Sequence, residues 1–63
     1  MLNELDVVKA KRKLSEKVKQ NTEGTIVMVY DEPRNAYEVE FVDSDDESLE
    51  ILTVEAEDIE KIS

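Results

Sequence analysis

The sequence predicts a mainly β protein, a small five-stranded antiparallel barrel of the SH3-like type with a long first loop and a short helical turn near the C-terminus. Three observations predict this fold. Short segments of alternating apolar and polar residues recur along the 63 residues. Turn-forming residues separate them at the intervals typical of small antiparallel barrels. An open sheet of this size would leave its edges exposed, so closure is favoured. We expect a single domain over residues 1–63.

The first strand is predicted at LDVVKA, residues 5–10, which is rich in β-branched residues. The next segment, KRKLSEKVKQNTE, is ambiguous. Leu14 and Val18 lie four residues apart, which fits either one helical turn or a long loop held by two apolar anchors.

The second strand is predicted at TIVMVY, residues 25–30, and the chain's one glycine, Gly24, opens it. In a regular strand Ile26, Met28 and Tyr30 share one face and the two valines between them share the other. Apolar residues on both faces predict a central strand that is covered twice, or one that bends between two sheets.

The third strand, YEVEF, follows a turn around Pro33 and has the clearest pattern. Its alternation places Tyr37, Val39 and Phe41 inward. Glu38 and Glu40 then project outward, and the polar loop DSDDES follows.

The fourth strand, LEILTV at residues 49–54, begins by alternating, and then Leu52 and Val54 change face. This slip predicts a β-bulge or a barrel corner. The last segment, EAEDIEKI, predicts a helical turn over residues 55–58, after which Ile59 and Ile62 pack back on the core.

The charge is strongly asymmetric, with 17 acids, 8 bases and a net charge of −9. Six bases fall within residues 9–19, whereas residues 31–60 hold thirteen acids and one base, a balance of −12. Such a field repels nucleic acids and anionic lipids and attracts basic partners. The chain has no apolar run long enough to span a membrane and no signal-peptide core, so we expect a soluble, cytoplasmic protein.

Catalytic and cofactor sites are not predicted. The chain has no histidine and no cysteine, so the commonest general base and the commonest strong nucleophile are missing, and we expect no enzyme and no cofactor. Asp43, Asp45 and Glu47 have the spacing that begins a calcium loop. However, Ser48 stands where that loop requires glycine and Val54 where it requires glutamate, so a solvated acidic turn without metal is expected.

The basic segment KAKRK, residues 9–13, could suggest a nucleic-acid site. Direct binding is disfavoured, because the molecule as a whole repels a polyanion and its three aromatic residues are mostly needed for the core. We interpret these bases as part of a solvated loop whose positive charge balances the acids across the barrel.

The acidic residues are the best candidates for partner binding. Glu38 and Glu40 project from one side of a strand about 6.8 Å apart, and we expect Glu50 to join them from the neighbouring strand. Like charges on adjacent strands cost stability. Solubility and edge protection are the simple explanation. The functional explanation is a docking surface formed by Glu38, Glu40 and Glu50. In this explanation the charges of Asp43, Asp45 and Asp46 steer the approach of the partner.

The segments LDVV, NTEGTIVMVY, YEVEFVD and LEILTVEAEDIEKI together resemble a family of short bacterial proteins, domain of unknown function 4926. The resemblance rests on the Gly24–Thr25–Ile26–Val27 motif and the YEVEF motif. Relatives often have glycine where this chain has Asn21, and again in the loop DSDDES. Asparagine in the left-handed conformation can replace the first glycine.

This resemblance implies an SH3-like barrel and, by analogy with small companions of toxin-like proteins, an antitoxin or immunity role. We therefore expect a non-enzymatic interaction module that binds a basic protein and blocks or regulates it. The alternative is a nucleic-acid mimic, or a nucleic-acid-associated module, acting on DNA- or RNA-handling machinery.

Overall fold

The computed structural model describes residues 2–32 and 35–62. Five strands form, as predicted, with one 3₁₀ turn between the last two. They are β1 (Val7–Ala10), β2 (Glu23–Tyr30), β3 (Ala36–Val42), β4 (Ser48–Glu55), the turn (Ala56–Asp58) and β5 (Ile59–Lys61). Pro33, around which the sequence predicts a turn, lies outside the described residues.

The five strands form one antiparallel sheet in the order β4-β3-β2-β1-β5. Strands β4 and β5 are therefore its two edges. This order, with the long first loop and the 3₁₀ turn before β5, is compatible with a small SH3-like barrel. Within the described residues, no helix has the length and apolar character needed to cross a membrane.

Strand β2 contains a bulge at Val27. Ile26 pairs with Val39 and Met28 pairs with Glu38, so Val27 has no opposite residue on β3. The extra residue reverses the alternation. Ile26 is buried, whereas Met28 and the last residue of the strand are exposed. The prediction that Ile26, Met28 and Tyr30 share one face is therefore wrong.

Strand β4 contains the second irregularity, and it lies at Leu49. Phe41 pairs with Glu50 and Val42 pairs with Ser48, so Leu49 is skipped. From Glu50 onward the pairing is regular, and Leu52 continues the face of Glu50. The predicted slip exists, but it precedes Glu50 instead of following Ile51.

The core contains the inward residues of β3, as predicted, together with side chains from the other strands and from the first loop. Its buried members are Val8, Ala10, Val18, Ile26, Tyr37, Val39, Phe41, Val54 and Ile59. Ile59 packs inward as predicted, but Ile62 is exposed. Ile62 lies beyond the end of β5, where its N–H donates to the Val7 carbonyl, and its side chain extends into solvent.

The segment between β1 and β2 is a loop and not a helical turn. The N–H of Leu14 donates to the Val18 carbonyl (2.8 Å), and Val18 itself is fully buried. Two apolar anchors thus hold the loop, as one of the two alternatives predicted. Asn21 closes it with φ of 74°, the left-handed conformation expected where relatives have glycine.

Gly24 pairs with Phe41 of β3, and β3 leaves no room for a side chain there. A Cβ at this position would lie 2.8 Å from the Glu40 carbonyl oxygen, 2.8 Å from Val39 Cγ1 and 3.0 Å from Phe41 Cδ1. The two motifs that carry the family resemblance are therefore in direct contact, and glycine is required for their close approach.

Candidate docking surface

The solvent-facing side of β2, β3 and β4 carries the two glutamates that the sequence places outward. Residues of β3 alternate between buried and half-buried, with Glu38 and Glu40 on the half-buried side. In the sheet register, Met28 and Thr53 flank Glu38, and Thr25 and Ile51 flank Glu40. We call this surface the outer face; it consists of Thr25, Met28, Tyr30, Glu38, Glu40, Ile51 and Thr53.

Glu38 is held in place by Tyr30. The Tyr30 hydroxyl donates a hydrogen bond of 2.6 Å to Glu38 Oε1. This hydrogen bond is the main reason why the pKa of Tyr30 lies above its usual value, with partial burial adding to it. Tyr30 therefore remains a donor over the physiological pH range, and it orients the Glu38 carboxylate on the sheet.

Glu40 is the unengaged carboxylate of the outer face. Among the described residues it has no hydrogen bond or ion pair. Its cross-strand neighbours, Thr25 and Ile51, carry no charge. A cation from a partner could therefore bind Glu40 without displacing an existing bond.

Apolar side chains accompany these carboxylates. Ile51 is 54% exposed, Met28 45% and Tyr30 38%. Single exposed apolar residues are ordinary on protein surfaces, but here three share one side of the sheet. Met28 and Ile51 lie on opposite sides of the Glu38–Glu40 row, about 12 Å apart by the strand spacing and rise. The surface thus combines negative charge with apolar contact area.

Glu50 does not belong to the outer face, which corrects the sequence prediction. The skip at Leu49 places Glu50 opposite Phe41, on the core side of β4. There its Oε1 accepts a hydrogen bond of 2.6 Å from the Ser15 hydroxyl, and the same hydroxyl oxygen accepts the Val18 N–H. This hydrogen bond connects the first loop to β4, and the Glu50 side chain is half-buried.

The acids of the loop after β3 divide into two kinds. Asp43 Oδ1 accepts the N–H groups of Asp45 (2.8 Å) and Glu47 (3.0 Å), so this carboxylate builds the turn. Asp46 has φ of 64°, and both Asp45 and Asp46 are exposed. The loop DSDDES therefore also contains a left-handed residue, and its exposed acids, Asp45, Asp46 and Glu47, are placed to steer a partner.

No group of three or more acidic side chains within residues 2–32 and 35–62 is arranged to hold a metal ion. The calcium-loop spacing of residues 43–47 is used instead for the backbone hydrogen bonds of the turn.

The most strongly engaged acid is Asp58, in the 3₁₀ turn. Its Oδ2 accepts the Glu55 N–H (3.0 Å) and its Oδ1 accepts Arg12 Nη2 (2.5 Å). Although burial opposes it, the Glu55 N–H, aided by Arg12, holds the pKa of Asp58 below its usual value. Both partners are structural, so we assign Asp58 to the fold and not to a binding site.

The described bases that form ion pairs do so away from the outer face. In the part of the chain that the structure describes, the ion pairs are Arg12–Asp58, Lys13–Glu16 and Lys61–Asp6. Lys9 lies in register between Glu23 and Glu60. Arg12 and Lys13 of the first loop thus pair with Asp58 and Glu16, and among the described residues no base pairs with Glu38 or Glu40.

The fold and the motif contacts can now be compared with known proteins. The family model described as Domain of unknown function (DUF4926) matches residues 4–61 of the chain. The chain belongs to the DUF4926 family. The match covers all five strands, both family motifs and the outer face of this DUF4926 protein. No curated protein and no solved structure matches the chain significantly.

Sequence reasoning missed the apolar part of the outer face. Regular alternation predicts that Met28 and Tyr30 share the face of Ile26, whereas the bulge turns them to the outer face. The uninterrupted apolar run IVMV indicates that the alternation breaks somewhere, since a strand with one covered face cannot bury every side chain, but it does not indicate at which residue.

Proposed function

We propose that this DUF4926 protein is a non-enzymatic interaction module that binds a basic protein through its outer face and blocks or regulates it. An antitoxin-like or immunity-like companion in the cytoplasm fits this role. The observation that carries the proposal is the outer face itself. Two carboxylates, one oriented by Tyr30 and both without basic partners among the described residues, lie between exposed apolar side chains on the sheet.

The chemistry of the outer face defines the partner. Arginine suits it best, because a guanidinium can bind a carboxylate through two parallel hydrogen bonds and can also stack on Tyr30. Met28 and Ile51 would contact apolar groups beside that arginine. Interface centres combine aromatic, methionine and arginine contacts in this way.

The position of Glu50 bears on the alternative function, nucleic-acid mimicry. A mimic needs a long row of carboxylates that imitates a phosphate backbone. With Glu50 on the core side, the outer face presents a row of two, and apolar side chains flank it. We therefore propose a protein partner and give mimicry no further role.

The test is binding kinetics against the protein that co-purifies with the tagged chain from its native host. Two variants change the charge equally. The first is Glu38→Gln with Glu40→Gln, on the outer face; the second is Asp45→Asn with Asp46→Asn, in the loop. We expect the first to speed dissociation by about tenfold or more, because it removes carboxylates that are desolvated in the complex.

The loop variant should instead slow association, and its effect should fade as salt rises, because mobile exposed charges act at long range. Asp43 is left intact, since its side chain builds the turn. Equal dissociation rates for the wild type and the outer-face variant would refute the proposal. They would mean that the outer face only maintains solubility.

A further inference from the structure

The free edge of the sheet at β4 is unusually open. Strand β4 spans Ser48–Glu55 and, among the described residues, pairs only with β3. The opposite edge, β5, spans only Ile59–Lys61 and carries a lysine. An edge strand presents unpaired N–H and C=O groups that can pair with another chain. The length of β4 is enough for a stable added strand.

Strand β4 is protected as an edge only near its start, by the irregularity at Leu49 and the inward carboxylate of Glu50. It contains no proline and no lysine, and residues 51–54 are uncharged. Its two acids are engaged elsewhere: Glu50 accepts the Ser15 hydroxyl, and Glu55 caps the 3₁₀ turn. No described residue outside β3 forms a backbone hydrogen bond to residues 48–54.

The charge of the molecule decides which chain can pair there. A second copy would bring a net charge of −9 against an equal charge, so pairing between copies is repelled. The same field attracts a basic segment. Electrostatic repulsion thus disfavours pairing of β4 between two copies, and electrostatic attraction favours pairing with a positively charged chain.

We propose that the β4 edge receives an extended basic segment of the partner as a sixth strand. This inference rests on the proposed function and specifies how the basic partner binds. Backbone hydrogen bonds to β4 would supply affinity, and alternate side chains of the segment would supply specificity.

The geometry specifies the pattern of that segment. An added strand lies about 4.8 Å from β4 and about 9.6 Å from β3. Its outward side chains are then neighbours of Ile51 and Thr53, and the Glu38–Glu40 row lies one strand beyond. The segment should carry an apolar residue beside Ile51. Lysine or arginine should occupy the adjacent outward positions, from which a long side chain reaches the carboxylates across β4.

The probe is a ten-residue amidated peptide whose odd positions, which share one face of the strand, are lysine except for a central valine, and whose even positions are threonine. Two further peptides have the same sequence, with N-methyl groups on the odd or on the even residues. N-methylation keeps the charge and the side chains but removes the strand hydrogen bonds of one edge. Binding to the full chain is followed by amide chemical shifts and by hydrogen exchange.

We expect the unmodified peptide to slow the exchange of amides within residues 49–55. One of the two N-methylated peptides should bind at least tenfold more weakly. Ile51→Lys should also weaken binding at least tenfold. The matched control is Ile62→Lys, which adds the same charge at an exposed isoleucine away from β4 and should leave binding within about twofold.

Three results would overturn the inference. In the first, the peptide does not bind at millimolar concentration. In the second, light scattering shows that β4 pairs two copies of the chain. In the third, binding is lost in the Glu38→Gln, Glu40→Gln variant but both N-methylated peptides bind as well as the unmodified one. The third result would leave docking on the outer face intact and reject only strand addition, so the two proposals fail separately.

Discussion

Replacing Gly24 by alanine tests whether the contact between the two family motifs determines stability. The new Cβ would lie 2.8 Å from the Glu40 carbonyl oxygen and 2.8 Å from Val39 Cγ1, whereas ordinary contacts begin near 3.4 Å. The backbone or the core must therefore move by about half an ångström to accept it. The carbonyl belongs to the adjacent strand and cannot rotate away without weakening the pairing of β2 with β3.

The size of the effect follows from two opposing contributions. Overpacking a close contact costs about 1–3 kcal/mol. Alanine restricts the unfolded chain more than glycine does, and this raises the free energy of unfolding by about 0.4–1 kcal/mol. We expect Gly24→Ala to lower the free energy of unfolding by about 1–2 kcal/mol, and to lower Tm by about 5–15 °C in a domain of this size.

The measurement is thermal and urea unfolding followed by circular dichroism. Gly24→Ser should destabilise at least as much, because it carries the same Cβ and one further atom. Thr25→Ala is the control, because the next residue faces solvent on the outer face and should change Tm little. A Tm for Gly24→Ala at or above that of the wild type would show that β2 and β3 are not packed as closely as the structure places them.

Four other changes test separate parts of the structure by the same unfolding measurements. Val39→Asp should unfold the domain, because it buries an unpaired charge in a fully buried site, whereas Glu40→Gln should keep a native spectrum; a native spectrum for the first would contradict the strand assignment. Asp58→Ala should cost about 2 kcal/mol near pH 7. Because the folded state lowers the pKa of Asp58, its contribution is complete above pH about 4 and is lost as pH falls through the folded pKa, so the difference from wild type should shrink in acid. Thr53→Lys, opposite Glu38, should raise stability by a few tenths of a kcal/mol while weakening partner binding, and an unchanged affinity would argue against the outer face. Sodium chloride should raise Tm, because screening weakens the repulsion among the acids; a falling Tm would mean that the existing ion pairs dominate.

Regular alternation made β3 predictable from the sequence. Tyr37, Val39 and Phe41 alternate with Glu38 and Glu40, and this period of two allows only one choice of buried face. The residues are also unambiguous in polarity, so local pattern and tertiary burial agree. The helical turn predicted at residues 55–58 is observed at residues 56–58, whereas the left-handed conformation of Asn21 is implied by the family resemblance and not by the local pattern.

The bulge at Val27 could not be located from the sequence, and it places two of the seven outer-face residues, Met28 and Tyr30. Ile26, Val27, Met28 and Val29 are all apolar, so no polar residue marks which side of β2 faces solvent at each step. The register is decided by pairing with β3, where Ile26 meets Val39 and Val29 meets Tyr37 in the core. Tertiary pairing sets the phase here because the local pattern leaves it open.

The placement of Glu50 shows the same limit with a functional consequence. One skipped residue, Leu49, moves the carboxylate from the outer face to the core side, where the Ser15 hydroxyl binds it. The thirteen acids of residues 31–60 therefore do not form a single negatively charged surface. Three of them accept structural hydrogen bonds: Asp43 in the turn after β3, Glu50 from the first loop, and Asp58 in the 3₁₀ turn. A chain selected only for stability would also place lysines beside Glu38 and Glu40, as it does beside the acids near β1. It presents threonine, methionine and isoleucine there instead, and this contrast supports the proposal that a partner binds the outer face.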